Sequence, residues 1–422
     1  MVEVKEEEEK KVRCLLVAPP PRKGEDGFPY ELKGLIDTLG FEFCKAVVLN
    51  RIEPHPTYGI GTGKAQEISA IAKEVFAECI IFDWELQPSK QRNWEKLTGI
   101  PCFDRNEVII RIFAQRAQTK EATLQVELAK LTYSLPRLSH SYGDMARQRG
   151  GSYGAKGSGE TQLELDRRQV ENKILQIKKE LEQVEIVRNT QRKQRQKTST
   201  PSCALVGYTN AGKSSLLNAL TGADVFVEDK LFATLDPTTR KITLAEGGEF
   251  LLTDTVGFIS NLPHTLIDAF KSTLEETSLA DLLLIVIDSS DENCGKQYAQ
   301  VLKVLKEIGA EENEKIILLN KTDRIKNDEG TISKLKNLFP DAIYVSAKTQ
   351  EGFEQLLNLV TKKLLGEIRS LKIPMERCDL VELVRKNGTI MEESWQDTCI
   401  ELKARLPESS RTLALIKDFL IE

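Results

Sequence analysis

Residues 207–214 read Gly207, Tyr208, Thr209, Asn210, Ala211, Gly212, Lys213, Ser214, and this G-x-x-x-x-G-K-[ST] spacing constrains the fold more than any other stretch of the chain. An apolar run, Cys203–Val206, precedes it, and a helix-forming stretch, Lys213–Leu220, follows. A strand, a glycine loop and a helix start in that order turn backbone N–H groups inward and add the helix dipole, which together bind phosphate. Lys213 is placed to reach the β- and γ-phosphates, and the Ser214 hydroxyl to ligate Mg²⁺. The motif therefore predicts an α/β fold with a mainly parallel sheet and flanking helices, and a ligand at the C-terminal strand ends.

Three further motifs follow, each just past a predicted strand. Glu249–Leu252 leads into Asp254, Thr255, Val256 and Gly257, a D-x-x-G. Its Asp suits Mg²⁺ through water, and its Gly N–H suits a γ-phosphate. Lys315–Leu319 leads into Asn320, Lys321, Thr322 and Asp323, an N-K-x-D, and Ile343–Val345 leads into Ser346, Ala347 and Lys348. A carboxylate at Asp323 accepts from both N1–H and the N2 amine of guanine. Adenine would leave it buried and unsatisfied, so the spacing selects GTP and GDP over ATP. Lys321 would pack its stem along the base, and the Ser346–Lys348 backbone would meet the guanine oxygen.

At 422 residues the chain has room for about 2.8 domains of roughly 150 residues. Four regions are expected: an α/β subdomain over 1–104, a helical hairpin over 105–197 with a glycine-rich loop over 137–160, a nucleotide-binding domain over 198–368, and a small α+β tail over 369–422. In the first, strands at Val12–Val17, Phe43–Leu49, Cys79–Phe82 and Ile100–Phe103 alternate with helices. In the second, helical spacing runs from Val108 to Pro136 and again through Val170, Ile174, Ile177, Leu181 and Val184. The longest apolar run is Leu282–Ile287, far short of the roughly 18 residues of a membrane span. The acidic N-terminus lacks the apolar core of a signal peptide. Eight cysteines without a C-x-x-C pair, and only three histidines, read as scattered thiols in a reducing cytoplasm rather than as a zinc site.

The four nucleotide motifs together resemble those of P-loop GTPases. Leu231–Arg240 (LFATLDPTTR) is similar to switch I of Obg- and HflX-type enzymes. That resemblance adds Phe232, Ala233, Thr234, Leu235 and Asp236 to the nucleotide set and makes Thr234 the Mg²⁺-contacting switch threonine; Thr238 and Thr239 are open alternatives. Lys213, Thr234 and Gly257 are then the catalytic candidates. Phe258 stands where Ras-like enzymes carry a water-orienting Gln, which implies slow intrinsic hydrolysis completed by a partner or an ion. Asn210 resembles the asparagine that holds K⁺ in some such enzymes; a loop-capping role is the alternative.

Gly157-Ser-Gly-Glu-Thr-Gln-Leu-Glu164, followed by Asp166, Arg167 and Arg168, resembles the signature of the HflX family. Tyr58–Lys64 with Glu67 is similar to a second segment of that family, with Thr62 departing from it; a plain strand-to-helix turn is the simpler reading there, and no second nucleotide site is supported. The resemblance implies a cytoplasmic, monomeric, Mg²⁺-dependent GTPase, stimulated by the ribosome, that binds the 50S subunit and its rRNA and dissociates or rescues 70S ribosomes under stress. The charge fits such a partner. Residues 137–200 hold 14 Lys/Arg and 8 Asp/Glu, a balance of +6, against −5 for the whole chain. Arg137, Arg147, Arg149, Lys156, Arg167 and Arg168 are the candidate RNA contacts, with Tyr142 and Tyr153 as stacking groups. A 50S assembly or silencing factor, an NTP-dependent RNA remodeller and a switch that binds only proteins are the alternatives.

Overall fold

A computed structural model of the chain describes residues 11–21, 27–51, 55–148, 158–197, 200–222, 230–244, 247–260, 271–406 and 411–421. These fall into two compact units. The first runs to Val184 and takes in Lys230–Phe232; the second holds the rest.

In the first unit, β1 (Arg13–Ala18), α1 (Tyr30–Leu39), β2 (Glu42–Val48), α2 (Thr62–Glu74), β3 (Cys79–Phe82), α3 (Pro88–Thr98) and β4 (Cys102–Asp104) alternate. The strands form a four-stranded parallel sheet in the order β2-β1-β3-β4. β1 and β3 lie inside it and are almost wholly apolar, as strands covered on both faces must be. Leu15, Val17, Ile80, Phe82 and Trp94 are buried in its core. Gly61 opens α2 as its N-cap and Lys64 pairs with Glu67 at 2.7 Å, so the Tyr58–Lys64 segment is a turn into a helix.

The helical spacing from Val108 to Pro136 belongs to two helices rather than one. Asp104 caps α4 (Arg105–Arg116) by accepting from the Glu107 N–H. The chain then breaks, and the Thr119 hydroxyl accepts from Ala122 N at 3.1 Å to start α5 (Lys120–Gln148). A second correction concerns the loop. The helix runs through Pro136 to Gln148, and α6 (Ser158–Lys197) resumes at Ser158, so most of 137–160 is helical. Residues 149–157 lie outside the described residues. A proline inside a helix costs about 3 kcal/mol. Here the next residue is tied into the fold: Arg137 donates to Gln91 Oε1 (2.8 Å), Leu86 O (2.9 Å) and Asp104 (3.2 Å), and stacks on Tyr133. Tertiary bonds thus override the local breaker. Along α6, Ile177 is buried and Val170, Ile174, Leu181 and Val184 are half-buried, and Lys173 reaches Glu127 of α5 at 3.4 Å.

The second unit carries two sheets. β5 (Ser202–Gly207), α7 (Lys213–Thr221), β6 (Thr238–Thr243), β7 (Glu249–Asp254), α8 (Lys271–Ser278), β8 (Leu282–Asp288), α9 (Cys294–Glu307), β9 (Glu314–Asn320), α10 (Glu329–Leu338), β10 (Ile343–Tyr344) and α11 (Phe353–Leu365) build the larger. Its order is β10-β9-β8-β5-β7-β6, parallel throughout except for the β6–β7 pair. The tail adds β11 (Glu367–Pro374), α12 (Cys378–Asn387), β12 (Thr389–Trp395), β13 (Cys399–Leu406), α13 (Arg411–Ile416) and β14 (Leu420–Ile421). These pair antiparallel in the order β12-β13-β11-β14, a split βαβ arrangement with its own core at Leu371, Ile373, Val384, Ile400 and Leu402. All eight cysteines are unbridged thiols. No helix among the described residues is long and apolar enough to cross a membrane.

Candidate functional site

β5, β7, β9 and β10 deliver the four motifs to one end of one sheet. At the end of β5, Lys213 turns back so that its ammonium donates to Gly207 O (3.2 Å) and Tyr208 O (2.9 Å). It is 6% exposed, and burial lowers its pKa to about 8, with Asp254 opposing that shift and Lys321 adding to it. A buried ammonium that donates to two backbone carbonyls is set to receive a phosphate. Gly257 lies against it: a Cβ there would stand 2.8 Å from Thr209 Cα and 3.0 Å from Lys213 Nζ. Gly212 has a φ of +90°, and a Cβ would collide with the Asn320 amide.

Three oxygens converge beside this lysine. Ser214 Oγ lies 2.7 Å from Thr234 Oγ1 and 2.6 Å from Asp254 Oδ2, and Thr234 Oγ1 lies 3.0 Å from the same carboxylate oxygen. Asp254 is fully buried, and its Oδ1 has no partner among the described residues. Burial raises its pKa, opposed by Lys213 and the two hydroxyls. Two hydroxyls and a carboxylate form a donor set that suits a hard dication such as Mg²⁺. Among the three candidate threonines only Thr234 joins it. Thr238 and Thr239 are strand residues of β6, and Thr239 bonds to Thr253 at 2.9 Å.

The base side is equally knit. Asn320 donates to Ala211 O (2.9 Å) and accepts from Ala347 N (3.1 Å), joining three motifs through one amide. Ser346 Oγ donates to Asp323 Oδ1 at 2.7 Å and so orients its carboxylate. Lys321, in a left-handed conformation at φ 64°, donates to Asn210 O (2.8 Å) and pairs with Asp288 (2.7 Å). Asn210 is exposed and itself left-handed, at φ 60°. Lys348 is exposed. Motif spacing does not reveal Asp288. Its signal is an acidic residue ending the apolar strand β8, in register with Asn320.

Other predicted positions turn into the fold. Phe258 is buried; its N–H donates to Gly207 O (3.0 Å) and its carbonyl accepts from Thr209 N (2.7 Å), so it staples the two loops together. Tyr208 OH accepts from Ser260 N at 2.7 Å. Thr255 donates to Leu205 O at 2.7 Å, and Leu235, Val256 and Ala211 are buried. Phe232 belongs to the first unit: its ring is buried and meets Phe113 edge-on at 4.7 Å. Ala233 and Asp236 are half-buried beside Thr234 and Leu235.

The candidate RNA contacts divide. Arg137 is a clamp inside the first unit, with its guanidinium on the fully buried Asp104, and this removes it from the RNA set. Its place in a glycine-rich, basic stretch hid that role. Arg149, Lys156 and the side chain of Arg147 lie outside the described residues. Arg167 and Arg168 are exposed and, among the described residues, pair along the helix with Glu171 (2.9 Å) and Glu164 (3.5 Å).

Known proteins place the chain in a family. Three family models match in order: GTP-binding GTPase N-terminal over residues 29–114, GTP-binding GTPase Middle Region over 116–195, and 50S ribosome-binding GTPase over 202–321. The GTPase HflX of Akkermansia muciniphila is 42% identical, covering 96% of this chain and 97% of that protein. The GTPase HflX of Escherichia coli K12 is also 42% identical, over 89% of each. Among solved structures, the SsGBP–GDP complex is 27% identical, covers 84% of this chain and 98% of its own, and has a TM-score of 0.49. The chain therefore belongs to the HflX family and is a GTPase.

Proposed function

We propose that this GTPase binds the 50S subunit in its GTP state, acts in the cytoplasm as a monomer to dissociate or rescue 70S ribosomes, and leaves after hydrolysis. The observation that carries the reading is the continuity of α6 with β5. The 40-residue helix that begins at the glycine-rich stretch ends at Lys197, and the strand leading into the phosphate loop begins at Ser202. A basic probe and a nucleotide switch are thus consecutive pieces of one chain. The 50S named in the matching family model and the +6 balance of residues 137–200 point the same way.

In this reading Ser214, Thr234 and Asp254 would hold Mg²⁺, which when bound would supply charge neutralisation for the β- and γ-phosphates. Lys213 gives up its bonds to Gly207 O and Tyr208 O for a phosphate oxygen. The Gly257 N–H meets the γ-phosphate, which draws the Asp254–Phe258 segment, switch II in this reading, toward Lys213. Thr234 ties switch I to the same point, so loss of the γ-phosphate frees both segments. Asp323, oriented by Ser346, reads guanine. Phe258 offers no group to orient water, so intrinsic hydrolysis is slow and the ribosome completes the site. Asn210, exposed within the phosphate loop, is the K⁺ candidate; equal rates in Na⁺ and K⁺ buffers count against that role.

Pelleting with purified 50S subunits tests the reading. Binding in a non-hydrolysable GTP analogue should exceed binding in GDP and fall steeply with salt. Equal pelleting in both nucleotides, or affinity indifferent to salt, would contradict it.

A further inference from the structure

Lys321 carries a flexible four-carbon stem with a compact charge at its end, a side chain that rests in no single place unless both ends are held. Here the ammonium is fixed twice: by the Asn210 carbonyl of the phosphate loop at 2.8 Å and by Asp288 Oδ2 at 2.7 Å. Both side chains of the ion pair are only 16% exposed, so water screens it weakly. Asp288 is itself held. Its Oδ1 accepts from Ser290 N (2.9 Å) and Ser290 Oγ (2.6 Å), leaving Oδ2 turned to the lysine. Its backbone lies opposite Asn320 in the β8–β9 register, and Ser289 N donates to Asn320 O at 2.9 Å. The stem of Lys321 is thereby drawn taut between the base motif and the phosphate loop, against the cost of a left-handed backbone at φ 64°.

We propose that Asp288 is a positioning residue for guanine-nucleotide binding, acting through Lys321 to preset the stem on which the base lies. This rests on the reading of Lys321 as the lysine that packs along guanine. A preset stem removes an ordering cost from binding and leaves the γ-phosphate chemistry alone.

The test is D288N in the full chain, with nucleotide affinity and steady-state hydrolysis measured side by side. The shape is kept and the charge is lost. The Kd for GDP and for a GTP analogue should rise together by about tenfold, as when one member of a mostly buried, hydrogen-bonded charge pair is neutralised, while kcat at saturating GTP changes less than about twofold. D288E should restore most of the affinity. In a K321M background D288N should add nothing, because the partner is already gone. S290A, which removes a bond to Asp288 but spares the ion pair, should bind as the parent does. The proposal is overturned by an unchanged Kd in D288N, by full additivity with K321M, or by S290A reproducing the loss; the last two outcomes mark Asp288 as a cap on β8. D323N separates the two readings. If it abolishes guanine preference while D288N does nothing, only the present proposal fails. If D323N leaves guanine preference intact, the base-site reading itself fails.

Discussion

The nucleotide pocket and the helical hairpin answer the same question, how to place charge, in opposite ways. In the pocket Lys213, Asp254, Asp288, Lys321 and Asp323 are buried or half-buried and held by short loops at strand ends. Lys213 rests on two carbonyls, Asp254 on two hydroxyls, Asp323 on Ser346 and Lys321 on Asp288. Along α6 the described charges stand mostly in solvent, joined by pairs one helical turn apart. Arg137, by contrast, is anchored like a pocket residue. The pocket is preorganised for one ligand, where a lost group costs orders of magnitude. The hairpin surface suits a large, irregular partner met through many weak contacts, where a lost group costs little.

Substitutions that cross this divide should show it. The largest effect is expected for K213A, with hydrolysis falling about a thousandfold as phosphate loses its buried cation; a loss below tenfold would place Lys213 outside the chemistry. In the intact protein, nucleotide affinity should decline as pH rises past about 8, where the empty site releases the Lys213 proton that a phosphate must recover. Fluorescent-GDP titration from pH 7 to 9.5 reads this, and a flat profile would deny the lysine its lowered pKa. Next comes D323N, with guanine-nucleotide affinity down about a hundredfold and partly regained with a xanthine nucleotide, whose 2-oxo group accepts where guanine donates. Unchanged guanine affinity would refute the base assignment.

In the hairpin, R137M should lower thermal and denaturant stability by about 2–3 kcal/mol, since it leaves the buried Asp104 carboxylate without its cation, held only by the Leu86 and Glu107 N–H groups among the described residues. Stability equal to the parent would return Arg137 to the list of surface contacts. The smallest effect belongs to the exposed Arg167–Glu171 pair: the double alanine variant should shift unfolding by less than about 0.5 kcal/mol. A larger shift would show that α6 is built like the pocket after all.

Much of this was legible in the chain itself, for reasons that follow the same divide. The phosphate loop, D-x-x-G and N-K-x-D are local: a few consecutive residues fix both backbone path and chemistry, so β5, β7 and β9 fall where the motifs require. Long-range features were not legible. Family resemblance, not spacing, favours Thr234 over Thr238 and Thr239; the 3.0 Å approach of its hydroxyl to Asp254 is a long-range contact that spacing cannot show. The burial of Phe232 against Phe113 joins residues more than a hundred positions apart. Helix α5 passes Pro136 because Arg137 finds partners on three other segments, and a local reading sees only the breaker. In the tail, β14 is two residues long, too short to carry a periodic pattern, yet it completes the sheet.

The central claim, that the nucleotide switch and the basic hairpin work as one device on the ribosome, is tested most directly by GTP hydrolysis with and without purified 50S subunits, run beside gradient profiles of 70S ribosomes. The account predicts strong stimulation by 50S and a GTP-dependent shift of 70S into subunits. Hydrolysis indifferent to 50S together with an unchanged 70S peak would contradict it.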